Sequence, residues 1–204
     1  MSETVNRATY PRVSDILSPW SADSFKNISV EILQNAAERG TAVHAFCTGF
    51  IRDDFLPQPK EEVSAYVESF KQWWGELKHP FLLLSERRLY DDQKMFSGQA
   101  DIIYEENHKV YLADIKTSAS FSPMWPIQLA AYCHLAFLHG YEIAGAKIVH
   151  VRCKKTWANE EKTIRNYEPA SFKLFEYSAK EMKEYLNKYF IPALDWYNLL
   201  KRKK

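Results

Sequence analysis
The chain predicts an α/β fold: a mixed central β-sheet carrying an antiparallel hairpin and flanked by helices. Three observations carry that reading. The first is a pair of β-rich runs, Ile102-Ile103-Tyr104 and Val110-Tyr111-Leu112-Ala113, separated by the polar stretch Glu105-Glu106-Asn107-His108-Lys109 with a turn-forming Asn107. The second is apolar spacing of helical period before and after the hairpin, over about 30–51 and 123–139. The third is a further apolar strand over 81–90, rich in Leu. Helices on both sides of strands that are apolar on both faces call for a covered sheet.

Taken in order, a short segment from Tyr10 to Trp20 precedes the first long helix. A loop marked by Pro57 and Pro59 leads to a helix over about 60–78. The strand 81–90, the hairpin 98–116 and the helix 123–139 follow. That helix opens at Ser122-Pro123, with Pro126 still in its first turn, and stops at Gly140. A strand is expected over about 146–153, a hydrophilic excursion over 154–167, and a short strand over 172–176. The last helix starts at the capping box of Ser178 and Glu181 and runs to about Lys201, with a bend at Pro192. The expected organisation is one domain over 1–204: an N-terminal helical part over about 1–80, a catalytic core over about 81–153 and a C-terminal helix over about 178–201.

The hairpin concentrates the chemistry. A turn centred on Asn107-His108 sets Asp101 opposite Asp114, with directly opposed Cβ atoms about 4.5–5.5 Å apart. Strand alternation keeps Lys116 on the face of Asp114. Two carboxylates at that separation can hold a hard divalent cation through oxygen. The cation lowers the pKa of a bound water and neutralises phosphate charge, and a neighbouring amine can orient the water or stabilise developing charge. A register slip of one residue would put the carboxylates on opposite faces. A surface ion pair is the bland alternative, but a charged Asp and Lys on a covered strand are costly unless paired or metal-bound.

Four short motifs stand in order along the chain: Arg39-Gly40-Thr41-Ala42-Val43-His44, Gly98-Gln99-Ala100-Asp101, Asp114-Ile115-Lys116-Thr117 and Gln128-Leu129-Ala130-Ala131-Tyr132. Together they resemble the G-x-x-x-H, G-x-x-D, acidic-x-Lys and Q-x-x-x-Y motifs of the PD-(D/E)xK nuclease superfamily, and within it the RecB-like exonucleases. The second motif lacks the Pro of the superfamily's name. The resemblance implies a restriction-endonuclease-like core. It also implies Mg²⁺ or Mn²⁺ held by Asp101, Asp114 and the backbone carbonyl of Ile115, with His44 as a further ligand or as the group that orients a metal-bound water, and Lys116 as catalytic amine. Glu86 stands where relatives often carry another acidic ligand, and an ion pair with Arg87 or Arg88 is its alternative. Gln128 and Tyr132 would support the site or contact the nucleic-acid backbone, as would Arg39, Thr117 and Ser118. Some relatives hold an iron–sulfur cluster on four cysteines. Here there are three, Cys47, Cys133 and Cys153, scattered along the chain, and no cluster is expected.

Gly40 inside a helix costs about 1 kcal/mol relative to Ala, so a close backbone approach there is expected. Arg87-Arg88, Lys154-Lys155 and the tail Lys201 to Lys204 are candidate phosphate contacts, and Trp125 a candidate stacking platform for unpaired bases.

Composition bounds the rest. The chain has 204 residues, 46% of them apolar, and a formal net charge of +1, so nucleic-acid binding must rest on a local patch and on metal. There is no apolar run near 20 residues and no signal-peptide pattern at the start, and three scattered cysteines fit a reducing compartment. The expectation is a cytoplasmic protein of a bacterial or phage-infected cell, or of another reducing, nucleic-acid-containing compartment, not secreted and not membrane-bound. Its expected partners are DNA ends, with a homo-oligomer or a recombination or annealing protein as further candidates. By fold-level analogy the setting is recombination, repair or phage and mobile-element DNA processing. An endonuclease of the same superfamily and a non-catalytic nucleic-acid-binding scaffold are the rival readings.

Overall fold
The computed structural model describes residues 6–21, 26, 28–163 and 165–201. Five strands form one sheet in the order β1-β2-β3-β4-β5: β1 Phe81–Asp91, β2 Phe96–Glu106, β3 Lys109–Lys116, β4 Ile143–Trp157 and β5 Arg165–Ser178. All neighbours are antiparallel except β3 and β4, which run parallel and are joined through helix α4, Met124–Leu138. The sheet is mixed and flanked by helices, as the sequence predicts. On one face, α2 (Val30–Arg52) and α3 (Glu61–Glu76) bury Val43, Cys47, Phe70 and Trp73 against Ile102, Tyr104, Ala113 and Ile115. On the other, α1 (Val13–Ser21), α4, α5 (Ala179–Tyr185) and α6 (Ile191–Lys201) cover Leu89, Ile103, Leu112 and Ile148.

The hairpin register is the one the turn chemistry predicts. Asn107 and His108 both take positive φ, 51° and 60°, the left-handed pair that a tight two-residue turn requires. Ile102 then faces Ala113 and Glu106 faces Lys109, and the next position along places Asp101 beside Asp114. β3 is the middle strand of the sheet, which explains its apolar character on both faces.

Two elements differ from expectation. The stretch expected as a hydrophilic excursion over 154–167 is paired at both ends: β4 runs on to Trp157 and β5 begins at Arg165. This distal ribbon is held by polar and cation–π contacts rather than by a core. Lys154 pairs with Glu168, Lys155 lies over Tyr167 and Arg165 over Trp157. The last helix starts at the expected capping box of Ser178 and Glu181 but carries a π-helical turn at Leu186–Phe190 before α6. Pro192 has no N–H to return to the preceding turn, which accounts for a widened turn there rather than a simple bend. The basic tail over 202–204 lies outside the described residues.

Candidate metal centre
The first motif lies on α2. Ser29 caps the helix, accepting the Ile32 N–H at 3.3 Å, and the chain leaves through Asp53 in the left-handed region. His44 faces the sheet from the middle of this helix. Its Nδ1 is 3.4 Å from Asp101 Oδ2 on β2 and 3.5 Å from Glu86 Oε1 on β1. One ligand atom from each of the three residues lies within 4.8 Å of the others. A six-coordinate Mg²⁺ with bonds of about 2.0–2.1 Å sets adjacent ligands roughly 3 Å apart, so the spacing suits a small cation with modest contraction.

Glu86 pairs with neither adjacent Arg. Thr48, one helical turn beyond His44, donates to its Oε1 at 3.4 Å, and Gln99 donates to its Oε2 at 2.5 Å. Glu86 has φ 50°, a conformation that bulky L-residues rarely adopt and one often found at functional sites. The Arg52 guanidinium clamps the preceding residue, donating to Ser85 Oγ at 2.8 Å and to its carbonyl at 2.9 Å.

Asp114 and Lys116 stand beside this triad at the end of β3. Asp101 Oδ2 accepts the Ile115 N–H at 2.7 Å, which ties the two strands together at the level of the carboxylates. Lys116 Nζ is 2.7 Å from Asp114 Oδ2, an ion pair that is the only partner of this buried oxygen among the described residues. A second buried carboxylate, balanced only by Lys116 and beside a His/Glu/Asp cluster, completes an oxygen-rich donor set that a hard cation fits.

The electrostatics agree. Burial works against protonated His44, but the Asp101 and Glu86 carboxylates overcome it and push its pKa up to about 10. Burial opposes ionisation of Asp101, while His44, Lys116 and the Ile115 N–H hold its carboxyl below the usual range. Asp114 goes the other way: burial and the Asp101 charge push it up to about 6 against the pull of Lys116. A cation seated here has to displace the His44 proton, so its affinity rises with pH.

Gln128 and Tyr132 share one face of α4, as their spacing predicts. Both polar atoms of the Gln128 amide are engaged: Oε1 accepts from Lys116 Nζ at 2.9 Å and Nε2 donates to the Tyr132 hydroxyl at 2.7 Å. Gln128 thus positions Lys116, the supporting role expected of it. The Tyr132 ring occupies the space that a side chain at residue 98 would take. A Cβ on Gly98 would lie 2.7 Å from Tyr132 Cε1 and 2.8 Å from Leu135 Cδ1. Two of the four motifs are thus physically one contact. We expect Gly98→Ala to cost about 1–3 kcal/mol by overpacking, read as a lower urea midpoint at unchanged slope. Combined with Tyr132→Ala the two changes should be less than additive, because the second removes the Tyr132 part of the clash and leaves that with Leu135.

Other sequence candidates stand differently. Arg39 is engaged at the α2–α3 contact, 3.5 Å from Glu62 and over the Tyr66 ring. Thr117 lies next to Gly40, but a Cβ on Gly40 would meet Thr117 Oγ1 at an ordinary 3.5 Å, so no contact among the described residues demands glycine there. Ser118 donates to the Ser120 carbonyl, and its own carbonyl binds His150 Nε2 at 2.6 Å. Trp125 is buried against Phe121, His150 and Phe175, which removes it as a stacking platform. Lys154 and Lys155 are paired with Glu168 and Glu62.

Sequence reasoning missed Thr48, Gln99 and His150. The first stands four residues after His44 on the same helix face, and the second lies inside the Gly98–Asp101 motif; both spacings carried the signal. His150 on β4 anchors the loop after Lys116 from a distant part of the chain, and no local pattern announces it. A cavity of about 330 Å³ between α4, α5 and β4 is apolar, lined by Cys133, Phe137, Ile143 and Met182, and contains none of the site residues.

No protein-family profile matches the chain, and no curated protein does. Among solved structures it is similar to one described as "Crystal structure of SSO0001", at 16% identity and a TM-score of 0.42, over 92% of this chain and 78% of that one. No helix among the described residues is long and apolar enough to cross a membrane.

Proposed function
We propose that the chain is a Mg²⁺- or Mn²⁺-dependent deoxyribonuclease with a PD-(D/E)xK-type, restriction-endonuclease-like core, acting as an exonuclease of the RecB-like kind. The observation that carries this is the convergence of His44, Glu86 and Asp101 within 4.8 Å beside the buried Asp114–Lys116 pair. His44, Glu86, Asp101, Asp114 and the Ile115 carbonyl would hold the metal. When bound, the metal supplies Lewis acidity toward the phosphate and acidifies a water. The chain's own residues do the remaining work. Lys116 presents an ammonium where charge develops on the attacked phosphate, and Gln128, braced by Tyr132, fixes its direction. Thr48 and Gln99 orient the Glu86 carboxylate toward His44. The active carboxylates sit on strands, not on a loop, which limits their freedom. Nothing in this arrangement reads base edges, in keeping with cleavage independent of sequence.

The test is digestion of end-labelled linear DNA, single- and double-stranded, with Mg²⁺, Mn²⁺ or EDTA, alongside a covalently closed circle. The expected result is release of mononucleotides or short oligomers from linear ends only, abolished by EDTA. Circles cut as fast as linear DNA would replace the exonuclease reading by an endonuclease one. Tight DNA binding with no cleavage under any metal would overturn the enzyme and leave a binding scaffold.

A further inference from the structure
We propose that a small polar cavity between α1, β1, β2 and α4 is a subsite for a phosphate of the bound strand, next to the scissile one. The inference rests on the nuclease reading and names how that site would hold its substrate. The cavity has a volume of about 140 Å³ and is lined by Arg12, Ser14, Arg88, Gly98, Gln99 and Tyr132, with Val13 closing it. At about 30 Å³ per water it holds the equivalent of four to five waters, room for a phosphoryl group but not for a whole nucleoside.

Its two guanidiniums are the reason to assign it. Among the described residues, the side chains of Arg12 and Arg88 make no hydrogen bond and no ion pair. Arg7 is bound by Asp92, Arg39 by Glu62 and Arg52 by Ser85, while the likewise unpartnered Arg87 and Arg152 are exposed, unlike Arg88. Arg88 is half-buried, where an unmatched guanidinium is costly. Arg12 is exposed beside it, and a phosphate in the cavity accepts from both guanidiniums in paired hydrogen bonds. The Ser14 hydroxyl adds a neutral donor.

Its place fits the reaction. Gln99, on one wall, donates to Glu86 of the metal cluster, and Tyr132, on another, leads through Gln128 to Lys116. A phosphate held here lies one side chain, Gln99, from the metal cluster and two, Tyr132 and Gln128, from Lys116. That distance suits a group adjacent to the scissile phosphate along the strand. A terminal phosphomonoester and an internal phosphodiester share this chemistry. The monoester, with its greater charge, is the better match for two arginines.

The experiment compares wild type with Arg12→Gln, Arg88→Gln and the double variant on linear DNA bearing a phosphate or a hydroxyl at each end. The metal is held fixed, and folding is verified by thermal denaturation. A terminal-phosphate subsite predicts that each substitution lowers kcat/KM about 10–100-fold on one phosphorylated end and little on the hydroxyl end. An internal-phosphodiester subsite predicts equal losses on both, with a shallower salt dependence. Unchanged kcat/KM and salt slope in the folded double variant overturn the proposal. A second readout is independent of turnover: affinity of a phosphorylated and an unphosphorylated oligonucleotide, in EDTA, for the same proteins. If wild type cuts nothing yet binds the oligonucleotide through both arginines, the nuclease reading fails and the subsite stands. If wild type cuts and the arginine variants bind and cut like it, the subsite alone fails. Arg88→Lys, which keeps the charge but not the paired geometry, should fall between wild type and Arg88→Gln.

Discussion

Replacing Asp114 by Asn is expected to lower metal-dependent DNA hydrolysis on the order of 10³-fold while making the metal-free protein more stable above about pH 6. Both halves follow from one carboxylate. Asp114 is 2% exposed, and its charge is balanced by Lys116, 2.7 Å away. Burial and the neighbouring Asp101 charge push its pKa up to about 6. A carboxyl whose folded value lies above its unfolded value contributes stability that is fully present below about pH 4 and is lost as pH rises through 6. The metal-free wild type should therefore weaken across that window by on the order of 1–3 kcal/mol, and the isosteric Asn variant should not. His44 and Asp101 are common to both proteins. The His44 value, about 10, keeps its contribution in place below about pH 6.5, to be lost only as pH rises through 10. The Asp114 effect is thus the difference between the two curves. A divalent cation that binds only the folded chain should raise the wild-type midpoint by mass action and the Asn midpoint far less. Denaturation at pH 5 and pH 8, with and without Mn²⁺, measures all of this. An Asn variant as active as wild type, or equally stabilised by metal, would remove Asp114 from the site.

The same residues show how much of this protein could be read from its sequence. Asn107-His108 fixes the hairpin register because few dipeptides tolerate two positive φ values, and that register alone brings Asp101 beside Asp114. His44, Gln128 and Tyr132 were legible because helical spacing fixes which residues share a face. Glu86 was less so. Alternation along β1 places it, but its positive φ and its partners Thr48 and Gln99 come from two other elements. The distal β4–β5 ribbon was not legible. Lys154, Lys155, Thr156 and Arg165 carry no apolar alternation, and what pairs them is a strand returning from beyond a turn. Arg12 and Arg88 are far apart in the chain, and their convergence on one cavity is a property of the fold. The restriction-endonuclease-like description rests on the motif resemblance; the sheet order and the site geometry are compatible with it.

Lys116→Ala is expected to cut kcat by about 10²–10³-fold with little change in KM. Lys116 reaches Asp114 at 2.7 Å and Gln128 at 2.9 Å, so two roles compete for it. It is either the counter-ion that keeps a buried carboxylate folded or the amine that stabilises the attacked phosphate. Metal separates the two. A cation ligated by Asp114 replaces the missing positive charge, so a purely structural lysine would become dispensable at saturating Mg²⁺. A catalytic lysine would not, because the metal cannot also stand where Nζ meets the phosphate. Lys116→Ala should then be stabilised by metal at least as strongly as wild type, since its Asp114 has more to gain, yet remain slow at every metal concentration. Gln128→Ala should show a milder loss in kcat, about tenfold, because it frees the direction of Lys116 without removing its charge. Recovery of Lys116→Ala to wild-type rate at high Mg²⁺ would assign the lysine to folding and leave the water-orienting step to His44.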